Sequence, residues 1–137
     1  MKKIVTLMVL FIFQFVFSQE TKTKEPVEDV DYGLLYSSGT VEVKPEFPGG
    51  IQEFYNYIGR NFYTPTDKKF KGGRVIVSFV IEKDGSVTDI DVKKDVGFGT
   101  KEEAIRVLKE CIKWKPAEQS GVPVRCSYML PITVQGN

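Results

Sequence analysis

The stretch RVIVSFVIEKDGSVTDIDVKK, residues 74–94, constrains this chain more than any other. Val75, Val77, Phe79 and Ile81 alternate with Ile76, Ser78 and Val80, the period of a β-strand. Asp84–Gly85 follows, a pair suited to positive φ at a two-residue hairpin turn, and Val87–Lys93 reads as a strand returning antiparallel. A hairpin cannot bury an apolar face by itself, so the flanking segments must supply the cover.

Those segments read as two helices and a strand. After VEVKPEFPGG, rich in turn formers, Ile51, Phe54 and Ile58 fall at helical spacing, with Tyr55 and Phe62 widening the stripe. The spacing predicts a helix over Gly50–Asn61. YTPTDKKFKGGR is a loop. A second helix begins at Thr100, where Thr100 and Glu103 have the spacing of a capping box. It carries Ala104, Leu108 and Cys111 on its buried side and Lys109 and Lys113 toward the cation-favouring end, and Pro116 stops it near Trp114. KPAEQSGVPV reads as loop and VRCSYMLPITV as the last strand. Val124, Cys126, Tyr128, Leu130 and Ile132 share one face of that strand; Arg125, Ser127 and Met129 share the other. Pro131 lacks an N–H and belongs on an edge, so one side of the strand is expected to be open. The order helix, strand, strand, helix, strand makes an α+β domain: a three-stranded antiparallel sheet with both helices on one face.

The chain opens MKKIVTLMVLFIFQFVFSQ. The apolar stretch Ile4–Phe17 would be about 21 Å long as a helix, against roughly 30 Å of hydrocarbon. A charged start, a short apolar core and Ser18 before Gln19 fit a signal peptide over residues 1–18 and export to the periplasm. An uncleaved short anchor in the inner membrane is the alternative. Residues 19–40 form a polar, mostly acidic lead-in expected to be mobile, and residues 41–137 form the domain.

Composition excludes several classes of function. Without residues 1–18 the chain carries 17 basic and 18 acidic residues, unclustered, so no nucleic-acid partner is expected. The absence of histidine removes imidazole metal sites, His-based triads and the commonest general base. No acid pair or nucleophile elbow stands in for them; the expectation is no catalytic residue, no metal, no cofactor and no enzyme. Cys111 and Cys126 read either as a disulfide of an exported protein or as two small buried thiols.

In this order and spacing, PEFPGG, GGRVIVSFVIEKDGSVTDIDV, EEAIRVL and KWKPAEQSGVPVRCSYMLPITV resemble the C-terminal domain of the TonB family of energy transducers, from about Val41 to Val134. The resemblance implies a domain that grips a short extended segment, the TonB box, of an outer-membrane TonB-dependent receptor. The segment would add to a sheet edge by β-augmentation, with main-chain hydrogen bonds giving affinity and alternate side chains giving selectivity. Carried onto this sequence, the pairing edge is Val124, Arg125, Cys126, Ser127, Tyr128 and Met129. The family's Tyr-Pro contact segment falls at Asn61, Tyr63 and Pro65, where Thr64 interrupts the pair. Packing and turn formation are the competing roles for Trp114 and Pro116, and a solvated face is the competing role for Arg125, Ser127 and Met129.

Family transducers also carry a spanning anchor and a long proline-rich spacer. Here some 30 residues separate the apolar run from the first helix, reaching about 100 Å taut and about 30 Å relaxed. The expectation is a periplasmic domain that binds like a transducer without pulling like one. Two alternatives stay open: a short membrane-anchored transducer working with an inner-membrane proton-channel complex, and an envelope structural or adaptor protein whose open edge pairs with itself in a homodimer.

Overall fold

The computed structural model describes residues 34–137. The expected signal peptide and most of the lead-in lie outside the described residues. Among the described residues, no helix is long and apolar enough to cross a membrane.

The elements run β1 (Tyr36–Ser37), α1 (Ile51–Asn61), β2 (Gly72–Ile81), β3 (Val87–Lys94), α2 (Thr100–Lys109), β4 (Ala117–Gln119), β5 (Val122–Val124) and β6 (Cys126–Gln135). The main sheet has four strands in the order β1-β6-β2-β3, and β4 and β5 form a separate two-stranded hairpin. The predicted three antiparallel strands are its β6-β2-β3 portion. The expected sheet falls short by one strand: β1, from the end of the lead-in, pairs parallel to β6 with Tyr36 opposite Cys126 and Ser37 opposite Ser127. Two residues of polar lead-in carry no periodicity, so only tertiary pairing makes them a strand.

β2 pairs with β6 over its full length, from Gly72 opposite Gln135 to Ile81 opposite Cys126, without a register shift. Val75, Val77, Phe79 and Ile81 of β2 and Leu130, Ile132 and Val134 of β6 face one core, joined by Phe54 and Ile58 of α1 and Ala104, Val107 and Leu108 of α2. In β3 the core-facing residues are Val87, Ile90 and Val92, a spacing that strict alternation forbids. The structure solves this with a bulge: Val80 opposes Thr88 while Ser78 opposes Asp91, and Asp89 takes φ 47° in the extra position.

Three local expectations are corrected. The β2–β3 connection is a three-residue loop, Lys83–Gly85, closed by the Glu82 N–H donating to the Ser86 carbonyl at 2.9 Å. Only Gly85 in it has positive φ, 86°, while Asp84 accepts from the Ser86 N–H (2.9 Å) and hydroxyl (2.6 Å). The capping box does not form. Gly99 caps α2, the Thr100 hydroxyl donates to the Gly97 carbonyl at 2.7 Å, and Glu103 turns toward the loop after α1. Finally, KPAEQSGVPV is not a plain loop: Ser120 (φ 52°) and Gly121 (φ 75°) turn the β4–β5 hairpin. That hairpin takes Val124 out of the last strand.

α2 ends at Lys109, before the predicted stop, because the chain must turn inward to bury Trp114. The Trp114 N–H donates to the Gly85 carbonyl at 2.8 Å. Its ring lies 5.2–5.7 Å, centroid to centroid, from Phe47, Phe54, Phe79 and Tyr128. A Cβ on Gly85 would stand 1.9 Å from the Trp114 carbonyl oxygen. Gly85→Ala must therefore break this backbone contact as well as strain φ. We expect a loss of at least about 2 kcal/mol in urea-monitored unfolding, where a loss under about 0.5 kcal/mol would contradict this packing.

Candidate functional site

The two sides of β6 differ in what they meet. In an extended strand the N–H and C=O of one residue point to the same side, alternating along the chain. The Arg125 carbonyl accepts from the Tyr36 N–H and the Ser127 carbonyl from the Ser38 N–H, both at 3.0 Å. Odd-numbered residues of β6 therefore face away from β2. Tyr36 and Ser38 fill the outer side only at Arg125 and Ser127; among the described residues no strand pairs with the outer side of Met129–Gln135. The side expected to be open over Val124–Met129 is thus half closed by the chain itself, and the open edge lies further along.

Each predicted edge residue has a definite place. Val124 sits in β5 opposite Ala117. Arg125 is drawn onto the sheet: its Nε is 2.7 Å and its Nη2 3.1 Å from the Glu82 carboxylate, with Asp89 at 3.7 Å. Glu82 also accepts from the Thr88 hydroxyl at 2.6 Å, and the Arg125 hydrogen bond is the main cause holding its carboxyl below the usual range. Cys126 is fully buried and Tyr128 covers Phe79 and Trp114. The Ser127 hydroxyl donates to the Tyr36 carbonyl at 3.3 Å. Met129, the first residue past β1, is 61% exposed. Cys111 and Cys126 are free thiols here, raised by burial, and they pack in different clusters, Cys111 against the main core and Cys126 with Val41 and Ala117.

The open half of β6 borders a groove of about 300 Å³. Ile132, Thr133, Val134 and Gln135 form one bank; Tyr55, Ile58, Gly59, Phe62 and Thr64, on and after α1, form the other. The Tyr55 hydroxyl reaches the Pro131 carbonyl at 3.4 Å. Gly59 stands out in this lining. A glycine inside a helix costs about 1 kcal/mol relative to alanine, yet a Cβ here would meet nothing within 4 Å. The fold does not require it; its effect is to widen the groove. Gly59 falls outside the apolar stripe that marks α1 in the sequence, although a lone glycine within a helical pattern is a signal in itself.

The segment Asn61–Pro65 runs along this groove beside Ile132–Gln135, the far half of β6; none of the predicted edge residues Val124–Met129 lines it, so the two regions singled out from sequence are not brought together there. Phe62 and Thr64 line it, while Tyr63 between them projects 74% exposed. The Arg106 guanidinium lies 4.7 Å from the centre of the Tyr63 ring and donates to the Asn61 carbonyl at 2.6 Å. Glu103 accepts from the Tyr63 N–H at 2.8 Å and pairs with Arg106. The Asn61 amide donates back to the Tyr57 carbonyl, and the Pro65 carbonyl accepts from Asn137 at 2.9 Å. α2 and the C-terminal residue thereby hold the segment in place. Among the described residues, no group of three or more Cys, Asp or Glu is arranged to hold a metal ion.

Arg106 holds the Glu103 carboxyl below its usual range, chiefly by hydrogen bonding. The clamp on Tyr63 is therefore complete above the ordinary Glu value of about 4.3 and is lost as pH falls through the lower folded-state value. In a carbon-13 carboxyl titration, Arg106→Met should raise the Glu103 midpoint toward the ordinary value. In the unaltered chain the Tyr63 amide shift should follow Glu103; an unmoved midpoint would remove Arg106 as the cause.

Compared with known proteins, residues 67–133 match the family model described as Gram-negative bacterial TonB protein C-terminal. No curated protein and no solved structure matches the chain.

Proposed function

This chain carries a TonB C-terminal domain, the family matched by residues 67–133, and from that premise we propose that it binds an extended receptor segment along the outer edge of β6. The family is non-enzymatic, linked to TonB-dependent transport, associated with the Gram-negative envelope and interacts with outer-membrane receptors. The finer reading is a periplasmic domain whose β6 recruits the receptor segment by β-augmentation.

One observation carries it: among the described residues no strand pairs with the outer side of β6 over Met129–Gln135, beside a preformed groove, with the main-chain groups of Met129 and Thr133 facing outward, Pro131 lacking a donor and its carbonyl reached by the Tyr55 hydroxyl. Open sheet edges are normally short, charged or covered. This one runs from Met129 to Gln135 with neither Lys nor Glu on it. The groove lets alternate side chains of an added strand sink against Ile132, Val134 and Gly59. The domain would thus work by adhesion alone, with no bond made or broken.

The test uses a synthetic peptide covering the TonB box of a TonB-dependent receptor, titrated into the isotopically labelled chain. Thr133→Pro deletes one outward donor on an edge that tolerates proline, and should weaken binding about 3- to 10-fold, the value of one hydrogen bond. Gly59→Leu, which fills the groove from a helix position, should weaken it further. Gly59→Ala should instead raise thermal stability by about 0.5–1 kcal/mol. Unchanged affinity in both Thr133→Pro and Gly59→Leu, with circular dichroism intact, would sink edge pairing at this half of β6.

A further inference from the structure

β1 is a strand with almost nothing of its own. It is two residues long, and its Ser38–Thr40 turn is closed by the Thr40 and Val41 N–H groups donating to the Ser37 carbonyl. It is held to β6 at Arg125 and Ser127. The residues after the turn are anchored separately: Val43 and Glu118 exchange both backbone hydrogen bonds at 3.0 Å, as do Glu46 and Lys115 at 3.0 and 2.7 Å. Glu42 adds bonds to Gln119 and Ser120. Releasing β1 therefore leaves the 41–46 segment in place, and such a short, partly exposed strand opens locally far more readily than the core.

The seat beneath β1 is specific. Tyr36 is opposite Cys126 and packs on a small apolar cluster of Val41, Ala117, Cys126 and Val124, separate from the main core. Val41, Ala117 and Cys126 are at most 7% exposed. Ser37 falls opposite Ser127, where its exposed side chain meets no such pocket. The seat thus reads one aromatic side chain, on a strand running parallel to β6.

We infer that Tyr36–Ser38 is a resident ligand of the partner edge. An incoming segment replaces it in the same parallel direction, and the preferred segment places an aromatic side chain in the Tyr36 seat. This inference rests on the reading of β6 as the partner-binding edge. It adds that the site is two-part: the half beside Met129–Gln135 is available at once, and the half at Arg125–Ser127 is released only when β1 leaves. Partner affinity is then set by competition within the chain.

The test uses this chain's own strand as probe. The peptide LLYSSGTV, identical to residues 34–41, is titrated by nitrogen-15 NMR into the chain and into its Tyr36→Pro/Ser38→Pro variant. The variant lacks both N–H donors of β1 and the resident ring. We expect the peptide to shift the Cys126 and Ser127 amides of the variant, to bind the unaltered chain at least 10-fold more weakly, and to lose at least 5-fold when its tyrosine becomes alanine. Equal binding to the two chains, shifts centred away from 125–127, or no binding to a folded variant at millimolar peptide would each overturn the inference. The TonB-box peptide separates the two readings. It should bind the variant at least 3-fold more tightly; equal binding removes only the resident-strand inference, whereas failure to bind either chain removes the edge-binding function itself.

Discussion

The contact between Trp114 and the β2–β3 loop organises this domain. It joins a backbone hydrogen bond, Trp114 N–H to the Gly85 carbonyl, to a ring that four aromatic side chains surround. Leaving α2, the chain has to cross the end of the sheet before β6 can lie beside β2 on the side away from β3. Trp114 fixes that crossing against the one point of the hairpin where no side chain intervenes. Phe47 and Phe54 pack on the same ring, so α1 and the segment before it are registered by the same contact. The Glu46–Lys115 bridge lies next to it in sequence. The route of residues 41–46, and with it the delivery of β1 to the edge of β6, depends on where the indole sits.

How much of this was legible in the sequence depended on how local the deciding physics was. The alternation of Val75, Val77, Phe79 and Ile81 is a property of one strand burying one face; all four are buried in the structure, and Val80 on the opposite row is buried as well. Of the stripe Ile51, Phe54 and Ile58, the last two survive as the buried face of α1, while Ile51 in the first turn is exposed. Failures came where another partner outcompeted the expected one. Glu103 had the spacing to cap its own helix, but Arg106 and the Tyr63 N–H offered it a charged partner and a further donor. Val87, Ile90 and Val92 all reach the core only because Asp89 accepts a left-handed conformation, a choice imposed by the sheet. β1 was invisible for the same reason, since its residues become a strand only beside β6. The candidate site was legible as a strand and a loop, yet the half of the strand that stays open is decided by β1.

β6 shows how one strand manages two unlike edges. Toward β2 it is committed along its whole length, a ladder on which the core depends. Away from β2 it is divided, closed at its start by the chain's own residues and open beyond them. Pro131 on that side removes one donor and so makes continuous pairing with another long strand less favourable. An edge with a gap in its donors and a groove alongside favours a short strand with side chains to bury over a flat sheet. On the function proposed above, the same arrangement would limit indiscriminate aggregation while leaving a selective place to attach.

The chain's single tryptophan is also its centre of packing. At 3% exposure, its indole is shielded from water by Phe47, Phe54, Phe79 and Tyr128, and none of its ring neighbours belongs to β1 or lines the groove at Gly59 except through the elements beneath them. The molecule therefore carries an optical reporter of its interior alone. Emission should keep the short wavelength of a buried indole if, as proposed, strands exchange at the rim, and shift to the red only when the interior itself opens. Light from one residue can tell attachment at the surface apart from collapse of the fold.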